Sequence, residues 1–337
     1  MPLNMLSNLE PGLRRCWHPV ALSGEITDAP VQVWLLGEPW VLARLGPRIV
    51  AFEDRCPHRW APLSAGRIEG VLLRCGYHGW CFGSGGEAIE IPALGPGAKL
   101  PPRAKATPAA GVDERFGLVW LAPERPAAPI IELPEASDPA FAEGVLPPTR
   151  ASVGAGLMID NFLDFAHFPF VHSATFGGDS PAFIRDYSAE PVPGGFQVEY
   201  VDSFSNHEDP AVAEGLRPLI QTWKMTYHYR VPFSVRLRLD FLDSGGVNVV
   251  AFFVQPETSD QCRLYTILLR NDLGGDESAM ADAIKYQEQV MAEDLAVQER
   301  YVLKEMPLEL SAQVHTRADR ITVELRRALV GLLAGES

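Results

Sequence analysis

The stretches CPH at 56–58 and CGYH at 75–78 constrain this chain more than any other feature. Cys56 with His58, and Cys75 with His78, place one thiol and one imidazole on each of two loops, with sixteen residues between His58 and Cys75. Donors of this kind gathered in pairs ask for a metal, and a metal requires a fold that brings the two loop tips together. A structural zinc finger usually keeps its cysteines in one pair and its histidines in the other. Here each loop supplies one of each, which suits a two-iron, two-sulfide cluster in which one iron takes both cysteines and the other both histidines. A mixed-ligand zinc site is the alternative that the spacing leaves open.

The surrounding sequence is organised to carry such loops. Residues 31–53 read as three short strands broken by glycine and proline, the pattern of a small antiparallel β unit, and a further strand is expected within 115–122. Seven prolines among residues 123–148 are too many for a regular element and mark a connection draped along a surface. The expected domains are therefore 1–124 and 125–337. In the second, residues 154–168 read as a helix ending near Pro169, and a run of strands follows. Residues 235–242 are the clearest strand: Val235, Leu237, Leu239 and Phe241 alternate with Arg236, Arg238 and Asp240, giving one buried and one wet face. A long helix from about Asp276 to Lys304 is expected to close the chain.

Composition narrows the function classes. A formal charge of −14 argues against a nucleic-acid partner, which needs a basic surface. No apolar run is long enough to span a bilayer, so no membrane partner is expected. The N-terminal stretch lacks the apolar core of a secretion signal, and five cysteines are an odd number, so a reducing, cytoplasmic setting is expected. Cys16, Cys81 and Cys262 read as ordinary apolar residues.

The motif C-x-H-x16-C-x2-H, closed by His78, Gly79 and Trp80, resembles the signature of the Rieske non-haem iron oxygenases. The resemblance implies that Cys56 and Cys75 bind one iron of a [2Fe-2S] cluster and His58 and His78 the other. In respiratory Rieske proteins a serine and a tyrosine, two and four residues after the second histidine, donate hydrogen bonds to the cluster and raise its potential. Trp80 and Phe82 stand at those positions here, neither with a hydroxyl, so a potential at the low end of the Rieske range is expected.

Residues 160–172, DNFLDFAHFPFVH, resemble the family's D-x2-H-x4-H motif, carried by Asp164, His167 and His172. These oxygenases hold a mononuclear Fe(II) with two histidines and one carboxylate. On a straight helix the two imidazoles would point about 140° apart, and Pro169 is expected to kink the helix so that they converge. Two neighbouring carboxylates are available in the C-terminal helix. Asp294 shares a stripe with Ile284, Met291 and Tyr301, whereas Glu293 lies with Tyr286, Gln289 and Arg300 on a more polar face. Asp294 is the expected ligand and Glu293 its wet neighbour. Asp164, on the same helix face as His167, is expected to hold that ring. The resemblance adds that it also bonds His78 of a neighbouring subunit, as an electron bridge. Asp160 and Asn161 are further candidates for contacts around the iron.

The resemblance covers nearly the whole chain and points to the monooxygenase branch of vanillate O-demethylase and dicamba demethylase. It implies an α+β protein: an N-terminal all-β Rieske domain and a C-terminal helix-grip (START-like) catalytic domain with a curved antiparallel sheet. It implies a terminal oxygenase working as a homotrimer on O2 and a small molecule, with electrons from a ferredoxin or flavin reductase and NAD(P)H engaged only through that reductase. The reaction expected is hydroxylation or oxidative O- or N-demethylation of an apolar or aromatic compound. Cis-dihydroxylation, desaturation or cyclisation would use the same iron. A Rieske electron carrier is the non-enzymatic alternative, against which the set His167, His172 and Asp294 speaks. For the pocket, the inward faces of three strands offer Trp223, Met225 and Tyr227, then Leu237, Leu239 and Phe241, then Val250 and Phe252, while Asn248, the one polar residue of an apolar strand, reads as a solvated amide close to a loop, with orientation of a substrate heteroatom as the alternative.

Overall fold

Apolar residues alternating between tight turns make Val31–Leu35, Glu38–Leu45 and Arg48–Glu53 an antiparallel sheet. Leu36 and Gly37, which join the first two strands, both sit at positive φ (54° and 76°), the two-residue turn whose twist matches that of a hairpin. The computed structural model describes residues 4–178 and 181–335, in two units: Leu9–Pro129, and Met1–Asn8 with Ile130–Ser337. Among the described residues the Leu9–Pro129 unit contains strands and short 3-10 turns and no α-helix. His18–Leu22, Leu118–Ala122 and Gly111–Arg115 form a second sheet, and Arg67–Glu69, Leu72–Arg74, Cys81–Phe82 and Ala88–Glu90 a third. Val41, Phe52, Leu63, Leu73 and Phe82 pack in one cluster with Cys56 and Cys75. The metal-bearing loops are thus rooted at their cysteines in apolar core.

The other unit is built on one antiparallel sheet. Its strands are β1 (Ala142–Val145), β2 (Thr149–Ala151), β3 (Ala189–Val192), β4 (Gly195–Ser205), β5 (Ile220–Arg230), β6 (Ser234–Phe241), β7 (Val247–Pro256) and β8 (Cys262–Arg270). The order is β1-β8-β7-β6-β5-β4-β3, with β2 also paired to β8. Helices α1 (Ala155–Leu163), α2 (Phe168–Val171), α3 (Glu277–Gln298) and α4 (Arg320–Ala334) accompany it, together with a single turn of helix at Pro210–Ala213. A sheet with a long helix is the α+β architecture expected for this half, and the inward residues of β5, β6 and β7 face α1 and α3 across a cavity.

Four local expectations need correction. The proline-rich stretch is not wholly irregular: Pro139 and Pro147 bracket a proline-free run that supplies β1. The second face of β6 is not wet, because Glu135 of the 3-10 turn Pro134–Ser137 covers it and pairs with both Arg236 and Arg238. The helix expected over 154–168 stops at Leu163, and Pro169 lies in the first turn of a new helix, where a missing N–H costs nothing. The long helix ends at Gln298, short of Lys304, whose ammonium donates to the Glu299 carbonyl beyond its last turn (2.8 Å). It also does not close the chain. In α4, Ile321, Leu325, Leu329 and Leu332 make a buried stripe at helical spacing.

Candidate metal centres and cavity

The two loops of the Leu9–Pro129 unit are built alike. The Trp60 N–H donates to the Cys56 carbonyl (2.8 Å), and the Gly79 N–H to the Cys75 carbonyl (3.1 Å). Both residues sit at positive φ, 59° for Trp60 and 72° for Gly79. A side chain on Gly79 would also press on Pro92, 3.2 Å away, so glycine belongs there. Asp54, itself buried, braces the first loop by accepting from the Ser64 N–H (2.7 Å), the Ser64 hydroxyl (2.6 Å) and Gln32 (2.6 Å). The second loop is held at the Gly79 carbonyl, which accepts from Arg74 Nη1 (2.8 Å) and, more weakly, from the Cys81 thiol (3.7 Å).

These loops bring all four expected donors together. The His58 and His78 rings meet edge to face with centroids 4.5 Å apart, and Trp80 stacks flat on His58 at 4.6 Å and 9°. Cys56 and Cys75 are buried, and their side chains lie within hydrogen-bonding reach of each other. Burial, with a contribution from Cys75, pushes the Cys56 thiol up to about 11. His58 Nδ1 is buried with no hydrogen-bond partner. Two buried thiols beside two imidazoles, one with an orphaned nitrogen, fit a cluster held by two cysteines and two histidines. His78 is exposed, so the histidine side of the site faces outward.

In the sheet unit, His167 Nε2, His172 Nε2 and Asp294 Oδ1 form a nearly equilateral triangle with edges of 3.2, 3.3 and 3.3 Å. The outer nitrogen of each ring is already engaged, and so is the Asp294 corner itself. His167 Nδ1 meets Asp164 Oδ2 at 3.2 Å, His172 Nδ1 meets Glu293 Oε2 at 2.8 Å, and Asn161 Nδ2 donates to Asp294 Oδ1 at 3.2 Å. With both Nδ1–H groups given to carboxylates, two bare imidazole nitrogens and a carboxylate oxygen face one another. Three acceptors at that spacing need a cation, and they match one face of an octahedron with arms of about 2.3 Å. Burial disfavours charge on His167, but Asp164 and Asp294 outweigh it and raise its pKa to about 9. Burial likewise acts against charge on Asp294, and the two histidines overcome it, holding the carboxyl down at about 2. The residues fit a mononuclear iron bound by two histidines and one carboxylate.

The triangle lies at the wall of a cavity enclosing about 880 Å³ of empty space, its open mouth included. All eight inward residues expected from the strands line it, together with Phe162 and Phe176.

Two comparisons of domains are decisive. Residues 152–335 match the vanillate O-demethylase oxygenase C-terminal domain, and residues 16–106 match the Rieske [2Fe-2S] domain. The chain belongs to the vanillate O-demethylase family of Rieske oxygenases. Methylxanthine N1-demethylase of Pseudomonas putida is 30% identical to it over 94% of this chain and 88% of its own length. The iron-sulfur subunit of the toluene-4-sulfonate monooxygenase system of Comamonas testosteroni is 37% identical over 67% of this chain and 66% of its own. The solved structure of the Pseudomonas putida N1-demethylase with caffeine superposes with a TM-score of 0.84 at 28% identity, over 97% of this chain and 93% of that one. This Rieske oxygenase is an oxidoreductase, the oxygenase component of a monooxygenase. Its cofactors are a Rieske [2Fe-2S] cluster and a mononuclear iron, and it takes electrons from a reductase or ferredoxin to act on a small molecule. No helix among the described residues is long and apolar enough to cross a membrane.

Several residues of the oxygenase's site depart from what the sequence suggested. Glu293 is not a wet neighbour: its side chain is 16% exposed and accepts from both His172 and the Thr175 hydroxyl (2.9 Å), which Tyr286 in turn contacts. One rule could have found it. A metal-bound imidazole usually gives its second N–H to a carboxylate, and once Asp164 serves His167, His172 still needs one. Asp164 does meet His167, but across the turn after α1 rather than along one helix face, since its own backbone is already extended (ψ 130°). Asp160 faces away from the triangle and binds Arg326 (3.0 Å) and Thr322 (2.7 Å) of α4. Asn248 is not solvated: it is 5% exposed and lines the cavity. Thr175, Phe162 and Phe176 went unremarked in the sequence, where nothing distinguishes them from core.

Proposed function

We propose that this chain is the terminal oxygenase of a demethylase or hydroxylase for an apolar or aromatic small molecule, with Cys56, Cys75, His58 and His78 holding the cluster and His167, His172 and Asp294 the iron. The observation that carries the reading is the triangle of two imidazole nitrogens and a carboxylate oxygen at the wall of an apolar cavity. The iron, when bound, supplies activation of O2 with electrons passed from the cluster. The chain's own residues do the rest. Phe162, Phe176, Trp223 and Phe252 exclude water from the cavity and set an aromatic substrate with its methyl group toward the triangle. Asp164 and Glu293 fix the tautomers of His167 and His172, keeping each Nε2 free. The test is chemical. Protein loaded with cluster and iron and given a reductase should release formaldehyde from O- or N-methyl aromatics, with about three irons per chain. About two irons per chain and no oxygen uptake would make it an electron carrier.

The working form we propose is a cyclic homotrimer in which the His78 loop of one chain meets Asp164 of the next. Asp164 keeps 31% of its side chain exposed beside His167, and the cluster loop presents Trp60 and Tyr77 at 75% and 66% exposure. Phe170 and Val314 are exposed apolar residues on the sheet unit, as a subunit contact would need. The cytoplasmic setting is supported by five buried cysteines, none in a disulfide.

Two substitutions test finer points. The hydroxyl-free Phe82 predicts a potential near the bottom of the Rieske range, about −150 mV. Phe82→Tyr should raise it by roughly 60 mV if the new hydroxyl adds a hydrogen bond worth about 1.4 kcal/mol to the reduced cluster; an unchanged potential by redox titration refutes the argument. Glu293→Leu should weaken iron binding about tenfold to a hundredfold, because His172 loses its partner, whereas Glu293→Gln, still an acceptor, should retain most of it. Equal iron loss in both variants would mean that the charge of Glu293 matters, and not its hydrogen bond.

A further inference from the structure

Among the described residues, three side chains of the cavity wall carry a buried polar atom with no hydrogen-bond partner. Trp223 Nε1, Tyr227 Oη and Asn248 Oδ1 are buried and make no hydrogen bond, in residues that are 7%, 0% and 5% exposed. Native proteins rarely leave buried polar groups unpaired, because each then bears its desolvation cost with nothing in return. The sheet register separates these three by apolar neighbours. Tyr227 lies opposite Leu237, itself opposite Val250, and Asn248 lies opposite Leu239, itself opposite Met225. They are isolated polar points on an apolar wall, so they cannot satisfy one another. All three residues line the cavity that also contains the His167, His172 and Asp294 triangle.

The charge of the wall is as informative. Among the described residues no lysine or arginine lines the cavity, while two carboxylates do, those of Glu208 and Asp294. Arg270, the guanidinium next to it, donates to Glu208 (2.8 Å) and twice to Asp272 (2.8 Å each). An anion entering would meet the Glu208 carboxylate, already paired with Arg270, and the only counter-charge on the wall would be the bound iron. A cation would find aromatic faces, but two of the three orphan atoms are N–H or O–H donors that it cannot use, and a bound iron adds positive charge at the triangle.

We propose that the cavity recognises an uncharged, planar heteroaromatic molecule, with Tyr227 and Trp223 donating to its ring carbonyl or nitrogen acceptors and Asn248 accepting from a ring N–H. This deepens the demethylase reading, on which it rests only for the methyl group that reacts. It separates this chain from a relative that acts on a sulfonate, whose substrate carries a full negative charge.

The test is binding, measured by calorimetry on protein loaded with both metals, without oxygen or reductase. Theobromine serves as the uncharged probe, toluene-4-sulfonate as the anion, phenyltrimethylammonium as the cation and 2-methoxynaphthalene as the apolar control. Theobromine should bind at least about tenfold more tightly than either charged probe. Tyr227→Phe and Asn248→Leu should each weaken theobromine about tenfold and leave 2-methoxynaphthalene within about twofold, since each removes one hydrogen bond and no shape. Iron content and the cluster spectrum check that the variants fold, and if Asn248→Leu loses iron, Asn248→Ser and Trp223→Phe carry the measurement. A charged probe binding as tightly as theobromine, no binding of theobromine, or variants that bind it unchanged would each overturn the proposal. Formaldehyde release is scored separately: its absence while the binding pattern holds defeats demethylation and leaves the recognition intact.

Discussion

Asp294→Ala should strip the mononuclear iron while the cluster spectrum stays as it was. Loss of a partner outside the coordinating atoms already costs about tenfold to a hundredfold in affinity, and losing a ligand atom from a three-atom set should exceed about a hundredfold. The variant should therefore purify with about two irons per chain and no turnover. His167→Ala and His172→Ala should behave alike, because the three atoms sit at equal distances and none is redundant. The measurement is iron per chain beside the visible absorption of the cluster. If Asp294→Ala keeps its iron and Glu293→Ala loses it, the carboxylate has been misassigned, and Glu293, 2.8 Å from the other nitrogen of His172, would be the place to look.

Asp164→Asn should keep both metals and lose about tenfold to a hundredfold in turnover. One carboxylate oxygen accepts from the Ala166 N–H at 2.8 Å and the other meets His167 at 3.2 Å. An amide retains the first contact, but it cannot accept from His167 and from a neighbour's His78 as a carboxylate can. The sharper form co-expresses two inactive variants, His78→Ala and His167→Ala. If the chain assembles as the proposed trimer, mixed trimers should recover part of the activity, because across one interface an intact cluster would face an intact iron. No rescue in verified mixed trimers, or a fully active monomer at high dilution, would place electron transfer within a single chain.

How far the sequence could be read depended on whether a residue's role is local. The two Cys-His loops were legible because cluster ligands must sit on short, rigid turns, so their spacing survives in the chain. His167 and His172 were legible for the same reason, although the expected cause of their convergence was wrong. Pro169 does not kink a helix there; the chain has already left α1 at Asp164 and restarts at Phe168. Glu293 misled because a stripe on a helix reports which side is polar, not what that side meets, and here the polar side meets His172 and Thr175. The wet face assigned to β6 failed likewise, since its cover, Glu135, comes from a segment about a hundred residues earlier in the chain. Buried pairs between remote segments leave no local pattern.

The triangle has a consequence for the folding of the unit. Two of its corners, His167 and His172, flank the short α2, and the third, Asp294, comes from the last third of α3, more than a hundred residues further along the chain. With the site filled, one ion cross-links those segments as a disulfide would. Iron supply therefore sets the mechanical integrity of the unit as well as its chemistry. A ligand bound at a hundred times its dissociation constant adds about 2.7 kcal/mol to the folded state. An oxygenase starved of iron should melt at a lower temperature and be cut by proteases between residues 164 and 178, so that a cell short of metal would lose the protein itself and not only its activity.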